Sequence, residues 1–119
     1  LGRMNQERRR IAERYMAEIN NSKLILPYVI DGIEPVWHIF AVRCSERDAL
    51  AEYLNKAGIG TNKHYPVPMH LQGAYSNLHI PKGALPIAEE ISATELSLPL
   101  YYGMTDEEVG YVIEKLNQF

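Results

Sequence analysis

The chain has 119 residues, of which 46% are hydrophobic, and this suits one domain, residues 1–119, with a core of its own. The 12 basic and 15 acidic side chains give a net charge of −3, which argues against a nucleic-acid or anionic-membrane surface. Cys44 is the only cysteine, so there is no disulfide framework, and no apolar run reaches membrane-spanning length. The polar, arginine-rich start is unlike a signal peptide, and we expect a cytoplasmic protein.

The first predicted element is a helix over about residues 5–20. Apolar residues recur on one side of it, and this predicts a buried stripe formed by Ile11, Tyr15 and Ile19 with Ala12 and Met16 beside them. Its early turns carry four arginines, which could form an anion site or a solvated or docking face. The second interpretation is favoured, because no glycine-rich turn accompanies Arg8, Arg9, Arg10 and Arg14.

A short extended run over 24–29 precedes the strongest strand signal of the chain, which covers 36–44. Apolar residues occupy both faces of that stretch, and this predicts a central strand covered on both sides. His38 lies within it. A buried, hydrogen-bonded histidine is favoured there over a ligand or a catalyst.

A second helix is predicted to follow, because Ser45 to Asp48 fits a capping box and apolar residues continue at helical spacing. Gly58 is predicted as its left-handed cap. Residues 59–61 then return as a second strand or sheet edge, and residues 71–77 allow one or two helical turns.

A third helix is predicted from Pro86 to about Leu96. Its inward side is assigned to Ile87, Ala88 and Ile91. Because no basic residue is near them in sequence, the three carboxylates of this region are assigned to a solvated face, namely Glu89, Glu90 and Glu95.

The last part of the chain reads as a short strand over 96–101, limited by Pro99, and a final helix. Thr105 and Glu108 form a capping box, and Met104 can pack on Val109 as a hydrophobic staple. The buried stripe of this helix is predicted to be Val109, Val112, Ile113 and Leu116. The fold class is therefore α+β, with a small, mostly antiparallel sheet packed with helices.

The loop over 61–75 contains Pro66 and Pro68, which favour a stiff, extended backbone. It displays four polar or aromatic side chains, His64, Tyr65, His70 and Gln72, which suit a recognition surface. From these residues alone, a proline-stiffened connector with solvated histidines is favoured over a binding loop. No phosphate loop, nucleophile elbow or metal-ligand motif is present, so the chain has binding groups without a reaction centre.

Three blocks in order resemble the C-terminal domain of the DegT/DnrJ/StrS sugar aminotransferases. They are Val36–Arg43, the run from Gly58 through His64-Tyr65-Pro66-Val67-Pro68-Met69-His70-Leu71-Gln72, and Glu95–Val109 with its Leu-Ser-Leu-Pro segment. The resemblance implies the small domain of a fold-type I enzyme that uses pyridoxal phosphate on keto sugars attached to nucleotides. Such enzymes act in the synthesis of amino sugars, polysaccharides or antibiotic sugars.

The resemblance implies that the Schiff-base lysine and most cofactor contacts belong to a large N-terminal domain outside this chain. We therefore expect the isolated chain to be inactive and to hold no pyridoxal phosphate. His64 and Tyr65 would face the sugar nucleotide, and His70 and Gln72 would shape or brace the loop. All four are candidate substrate-binding residues; none is assigned to catalysis, cofactor or metal.

For the complete protein, the resemblance implies a homodimer that takes its amino group from a donor such as glutamate. The loop is similar to that of members acting on a 3-keto sugar, but dehydratase relatives without the lysine share this domain. A stand-alone binding or regulatory module with the same scaffold is the alternative. Without its large domain, the chain is expected to expose apolar surface, including part of the first helix around Tyr15 and Met16, and to self-associate weakly.

Overall fold

The computed structural model describes all residues from Leu1 to Phe119. Two short 3-10 helices, Met69–Leu71 and Gly73–Leu78, lie in the second half of the chain. No helix combines the length and the apolar character needed to cross a membrane. The main elements are α1 (Gly2–Glu18), β1 (Phe40–Arg43), α2 (Arg47–Lys56), α3 (Pro86–Thr94), β2 (Glu95–Leu98) and α4 (Asp106–Gln118). The predicted α+β class is confirmed.

The sheet has two antiparallel strands, and its two faces differ in chemistry. Phe40 pairs with Leu98 and Val42 with Leu96, so these four apolar residues share one face. Ser97 and Glu95 project to the opposite face, opposite Ala41 and Arg43. Single bridges extend the pairing by one residue on each side, joining Ile25 to Arg43 and Asn62 to Ser97.

The hydrophobic core lies on the apolar face of this sheet, under α1, α2 and α4. Tyr15 of α1 packs edge-on against Phe40, with 5.1 Å between ring centroids. Its hydroxyl donates a hydrogen bond of 2.7 Å to the carbonyl of Pro99. The α4 stripe predicted from its spacing is buried as expected, and so is Met104 before it.

The N-terminus of α4 forms the predicted capping box. The Thr105 hydroxyl accepts from the Glu108 N–H at 3.2 Å, and the Glu108 carboxylate accepts from the Thr105 N–H at 2.8 Å. Gly58 after α2 has φ of 80°, as its predicted role as a left-handed cap requires. Both predictions rest on local interactions within one or two turns.

The strand predicted over 36–44 was too long, since β1 spans only Phe40–Arg43. Trp37 has a left-handed backbone with φ of 50°, which a continuous strand does not allow. His38 is exposed and makes no hydrogen bond within the chain, so the prediction of a buried, bonded histidine is wrong. The extended run predicted over 24–29 contributes only the single bridge at Ile25, and the run predicted over 59–61 forms no strand, since the second bridge lies just after it at Asn62.

Predictions for α2 and α3 also need correction. The helix α2 begins after Glu46 without a side-chain cap, so the capping box at Ser45 is wrong. The predicted inward residues of α3 point outward: Ile87 is 72% exposed, and Ile91 and Ala88 are also exposed. With Leu85 and Pro86 they form what we call the α3 apolar face.

The first helix begins at Gly2, earlier than predicted, and buries its expected stripe. Met16 is partly exposed but Tyr15 is fully buried, so the expectation of exposed surface around Tyr15 is wrong. The arginine cluster forms ion pairs along a partly exposed surface, as the solvated-face interpretation predicted. Its pairs are Arg9 with Glu34 at 2.9 Å, Arg14 with Glu18 at 2.6 Å, and Arg10 with Asp106.

Candidate functional site

The loop that carries the candidate residues leaves the sheet at its edge. Asn62 exchanges two backbone hydrogen bonds with Ser97 of β2, at 3.1 and 2.7 Å. Two residues later, the chain places His64 over the polar face of the same strand. The turn Met69–Leu71 ends the proline-stiffened part of the loop. The sheet therefore fixes the start of the loop, and the position of His64 follows from that of Ser97.

His64 is held by contacts at its backbone and its ring. Its N–H donates to Glu95 Oε2 at 2.7 Å, and its Nδ1 lies 2.8 Å from Ser97 Oγ. Ser97 Oγ in turn donates to Glu95 Oε1 at 2.5 Å. Glu95 and Ser97 are both buried. One oxygen of the buried Glu95 carboxylate thus binds the His64 backbone directly, and the other binds the serine that contacts the His64 ring.

Glu95 is the functional residue that sequence reasoning missed, because it was assigned to a solvated helix face. The structure makes it the first residue of β2, 4% exposed. The signal that could have found it is the alternation of polar and apolar residues in Glu95–Leu98, which is typical of a strand with one polar face. Glu90 is exposed, as predicted, and forms a surface ion pair with Arg43 at 2.8 Å.

Tyr65 is displayed, whereas His64 is anchored. The Tyr65 side chain makes no hydrogen bond within the chain, and the residue is 68% exposed. Its ring meets the His64 imidazole edge-on, with 5.4 Å between centroids, and the peptide bond joining the two residues is cis. The phenol is thus free to contact a ligand or a neighbouring protein.

His70 and Gln72 lie where they brace the loop. The His70 side chain is only 3% exposed, and its Nε2 lies 2.9 Å from Glu89 Oε1 on α3. Glu89 Oε1 also accepts from the Gly83 N–H at 2.7 Å, and the hydrogen bond from His70 is the largest cause that holds the pKa of Glu89 below its ordinary value. Gln72 donates to the Val67 carbonyl at 3.0 Å.

The structure therefore separates the four candidates into two pairs. His64 and Tyr65 are adjacent, with His64 partly buried and Tyr65 exposed, while His70 and Gln72 brace the loop from the other side. Glu89, predicted as solvated, is instead the partner that fixes His70.

An open cleft of about 410 Å³ lies beside His64. His38, predicted to be buried, faces this cleft as an exposed side chain. The lining combines imidazole, amide and hydroxyl groups with apolar residues, which suits a polar ligand that also carries carbon-rich surface. Its main polar residues are His38, Thr61, Asn62, His64 and Ser97.

Residues 1–117 match one family model, that of the DegT/DnrJ/EryC1/StrS aminotransferases. The chain belongs to this family. The resemblance seen in the three sequence blocks is confirmed.

Curated relatives in the DegT/DnrJ/EryC1/StrS family include two sugar transaminases. The dTDP-3-amino-3,6-dideoxy-alpha-D-galactopyranose transaminase of Aneurinibacillus thermoaerophilus is 43% identical over 97% of this chain, which spans 31% of that protein. The dTDP-3-amino-3,4,6-trideoxy-alpha-D-glucose transaminase of Streptomyces venezuelae is 41% identical over 81% of the chain and 26% of the relative. The chain thus spans about a third or less of the relatives it matches.

Solved structures of the family share the fold. Streptomyces venezuelae DesV, solved in complex with a ketimine intermediate, superposes with a TM-score of 0.95 at 35% identity, over 98% of this chain and 32% of DesV. Spr1654 of Streptococcus pneumoniae, described as a sugar aminotransferase and solved in its PLP form, has a TM-score of 0.87 at 31% identity, over 98% and 31% of the two chains.

The lysine of the candidate loop does not fit a Schiff-base role toward pyridoxal phosphate. A Schiff-base lysine needs a neutral amine. Lys63 is the lysine of the loop, and its amino group is engaged in an ion pair with Asp48 Oδ1 at 2.7 Å. The hydrogen bond from Lys63 is the largest cause that lowers the pKa of Asp48, followed by that from Arg47. We assign no step of the chemistry to a lysine of this chain.

Proposed function

We propose that the chain is the C-terminal small domain, residues 1–119, of a pyridoxal phosphate-dependent aminotransferase that acts on a nucleotide-linked keto sugar. Family membership and the names of the two dTDP-sugar transaminases support this function. The complete enzyme would move an amino group from an amino-acid donor to the sugar ketone. Residues outside this chain would hold the cofactor, which supplies that chemistry when bound. This domain would contribute the substrate side of the cleft.

The observation that carries the proposal is the contrast between His64 and Tyr65. His64 is fixed at two points, by Glu95 and by Ser97, beside an open cleft. Tyr65 next to it keeps its hydroxyl free, and an exposed phenol offers both an apolar surface and a hydrogen-bonding group. An anchored donor–acceptor group beside a displayed phenol is the arrangement expected of a recognition loop on a rigid scaffold.

The proposed partners are the large domain of the same protein and a second subunit. The α3 apolar face supports a protein neighbour, because Leu85, Ile87 and Ile91 together expose apolar surface without polar lining. In the complete enzyme we expect such surface to be covered, with the Tyr65 side chain left accessible to a bound sugar nucleotide.

The test is a chimera in which this chain replaces the corresponding segment of the Aneurinibacillus transaminase, its 43%-identical relative. Its substrates are dTDP-3-amino-3,6-dideoxy-alpha-D-galactopyranose and an oxo acid such as 2-oxoglutarate. We expect measurable transamination. The matched variants are His64→Ala and Tyr65→Phe, each expected to slow the sugar half-reaction about fivefold for a lost hydrogen bond of about 1 kcal/mol. The amino-acid half-reaction should be nearly unchanged.

Three results would argue against the proposal. A folded chimera that binds the sugar nucleotide but cannot transaminate would favour the non-catalytic binding module. Equal losses in both half-reactions, in step with a lower melting temperature, would make the loop a structural connector. Dehydration of a keto sugar in place of amination would assign the domain to the dehydratase relatives.

A further inference from the structure

Glu95 and Ser97 lie together on the polar face of β2, directly beneath His64. They are two residues apart on one strand, so their side chains project to the same side. Both are buried, with 4% and 5% exposure. Their hydrogen bonds close a cycle with His64: the His64 backbone N–H donates to Glu95, the Ser97 hydroxyl donates to Glu95, and Ser97 Oγ lies within hydrogen-bond distance of the imidazole.

The direction of each hydrogen bond in this cycle follows from the number of available protons. The His64 backbone N–H can only donate, and an ionised carboxylate can only accept. Ser97 has one hydroxyl proton, and it goes to Glu95 Oε1 at 2.5 Å. The Ser97 oxygen must then accept from His64 Nδ1, at 2.8 Å, so Nδ1 carries a proton.

A neutral imidazole with its proton on Nδ1 has an unprotonated Nε2, which can only accept a hydrogen bond. Within the chain, the His64 imidazole makes its one hydrogen bond through Nδ1, so its Nε2 remains available to a ligand. A sugar hydroxyl can donate to it. A diphosphate oxygen, which itself only accepts, cannot.

We propose that Glu95 and Ser97 are positioning residues that hold His64 as the Nδ1–H tautomer, so that Nε2 accepts a hydrogen bond from a ligand hydroxyl. The identity of that hydroxyl as a group of the sugar ring rests on the proposed function. The tautomer itself does not, and it is measurable on this chain alone.

The experiment is nitrogen NMR of the histidine side chains in the ¹⁵N-labelled chain, at a pH at least one unit above the ordinary histidine pKa of about 6.5. Long-range proton–nitrogen correlations distinguish the two tautomers. We expect the Nδ1–H pattern for His64. His70 is the internal control, because its Nε2 faces the Glu89 carboxylate and must carry the proton in every variant.

Two variants separate the proposed relay from general packing. Glu95→Gln should reverse the tautomer: the new amide must turn its oxygen to the His64 N–H, which places its NH₂ against Ser97. Ser97 then donates its own proton to Nδ1, and the proton of His64 moves to Nε2. Ser97→Ala removes the acceptor for Nδ1–H and should shift His64 toward the Nε2–H form that predominates in free neutral histidine.

The wild-type spectrum decides the proposal even if a variant fails to fold. An Nε2–H pattern for His64 in the wild-type chain would refute it, and would indicate instead that a protonated Glu95 donates to Ser97. An Nδ1–H pattern that persists in both folded variants would also refute it.

In the chimera, Glu95→Gln should raise the KM for the sugar nucleotide at least fivefold and leave the amino-acid half-reaction unchanged. A chimera without activity and a wild-type Nδ1–H pattern would reject the proposed function and keep the tautomer.

Discussion

Tyr15→Phe tests the link between the first helix and the end of β2. The hydroxyl of this fully buried residue donates to the Pro99 carbonyl at 2.7 Å, and burial raises the pKa of the phenol. The substitution removes one oxygen and keeps the ring against Phe40. The Pro99 carbonyl loses this donor, and the longer contact of the hydroxyl with Met104 Sδ at 3.9 Å is lost as well.

The expected loss in the free energy of unfolding is about 1–2 kcal/mol, the usual effect of losing a buried hydrogen bond and leaving its partner unsatisfied. The shift in melting temperature per kcal/mol of unfolding free energy decreases as domains become larger. For a domain of this size it is roughly 4 °C per kcal/mol. The melting temperature should therefore fall by about 4–8 °C. Ring packing is retained, so a loss typical of a deleted aromatic, about 3–5 kcal/mol, is not expected.

Urea unfolding and thermal melts measure this loss, with Tyr28→Phe as the matched control. Tyr28 is 85% exposed and makes no side-chain hydrogen bond, so its variant should stay within about 0.5 kcal/mol of the wild type. Equal stabilities for the two variants would refute the reasoning. A changed dependence on urea concentration would mean that the variant altered the unfolded or folded ensemble beyond this one contact.

Three further predictions follow from the loop and from α3. In the chimera, Tyr65→Phe should raise the KM for the sugar nucleotide without lowering the melting temperature, because the phenol has no partner in the chain; a large fall in stability would contradict this. The pKa of Glu89 is lowered in the folded chain, so its contribution to stability is present above its ordinary value of 4.5 and is lost as the pH falls below that value. Thermal melts should therefore show that Glu89→Gln destabilises the chain at neutral pH and that this difference shrinks on acidification; a constant difference would contradict it. Ile87→Lys on the α3 apolar face should weaken concentration-dependent self-association of the isolated chain in sedimentation, and the conservative control Ile87→Leu should not.

The elements predicted correctly are those specified by interactions within a turn or two. The capping box at Thr105 and the left-handed Gly58 depend on neighbouring residues, so their sequence signals are complete in themselves. The buried stripe of α4 also follows, because its period fixes one face whatever that face contacts.

The incorrect predictions concern elements whose environment lies far away in sequence. Apolar residues at helical spacing on α3 define a face, but they do not say whether the face meets this core or another protein. The apolar run around Trp37 has high strand propensity, and its left-handed backbone overrides that preference. Glu95 looks like any solvated carboxylate until the fold brings His64 to it across 31 residues.

The sequence predicted the loop that carries the candidate site, but not the contacts that hold its side chains in position. Proline spacing indicated a stiff segment, and the family resemblance selected His64 and Tyr65. The roles of Ser97 and Glu89 depend on pairings across 33 and 19 residues, which one sequence does not reveal.

The contact between α1 and α4 has a consequence for the order of folding. Asn117 accepts from the Asn20 N–H and donates to the Glu18 carbonyl, contacts that span 97 and 99 residues. Arg10 meets Asp106 at the other end of α4, so α4 runs parallel to the second half of α1. Closing a loop of this size costs conformational entropy before the core compensates for it, and chains dominated by such distant contacts fold slowly. During synthesis, the apolar stripe of α1 must therefore remain without its final packing partner until α4 has left the ribosome.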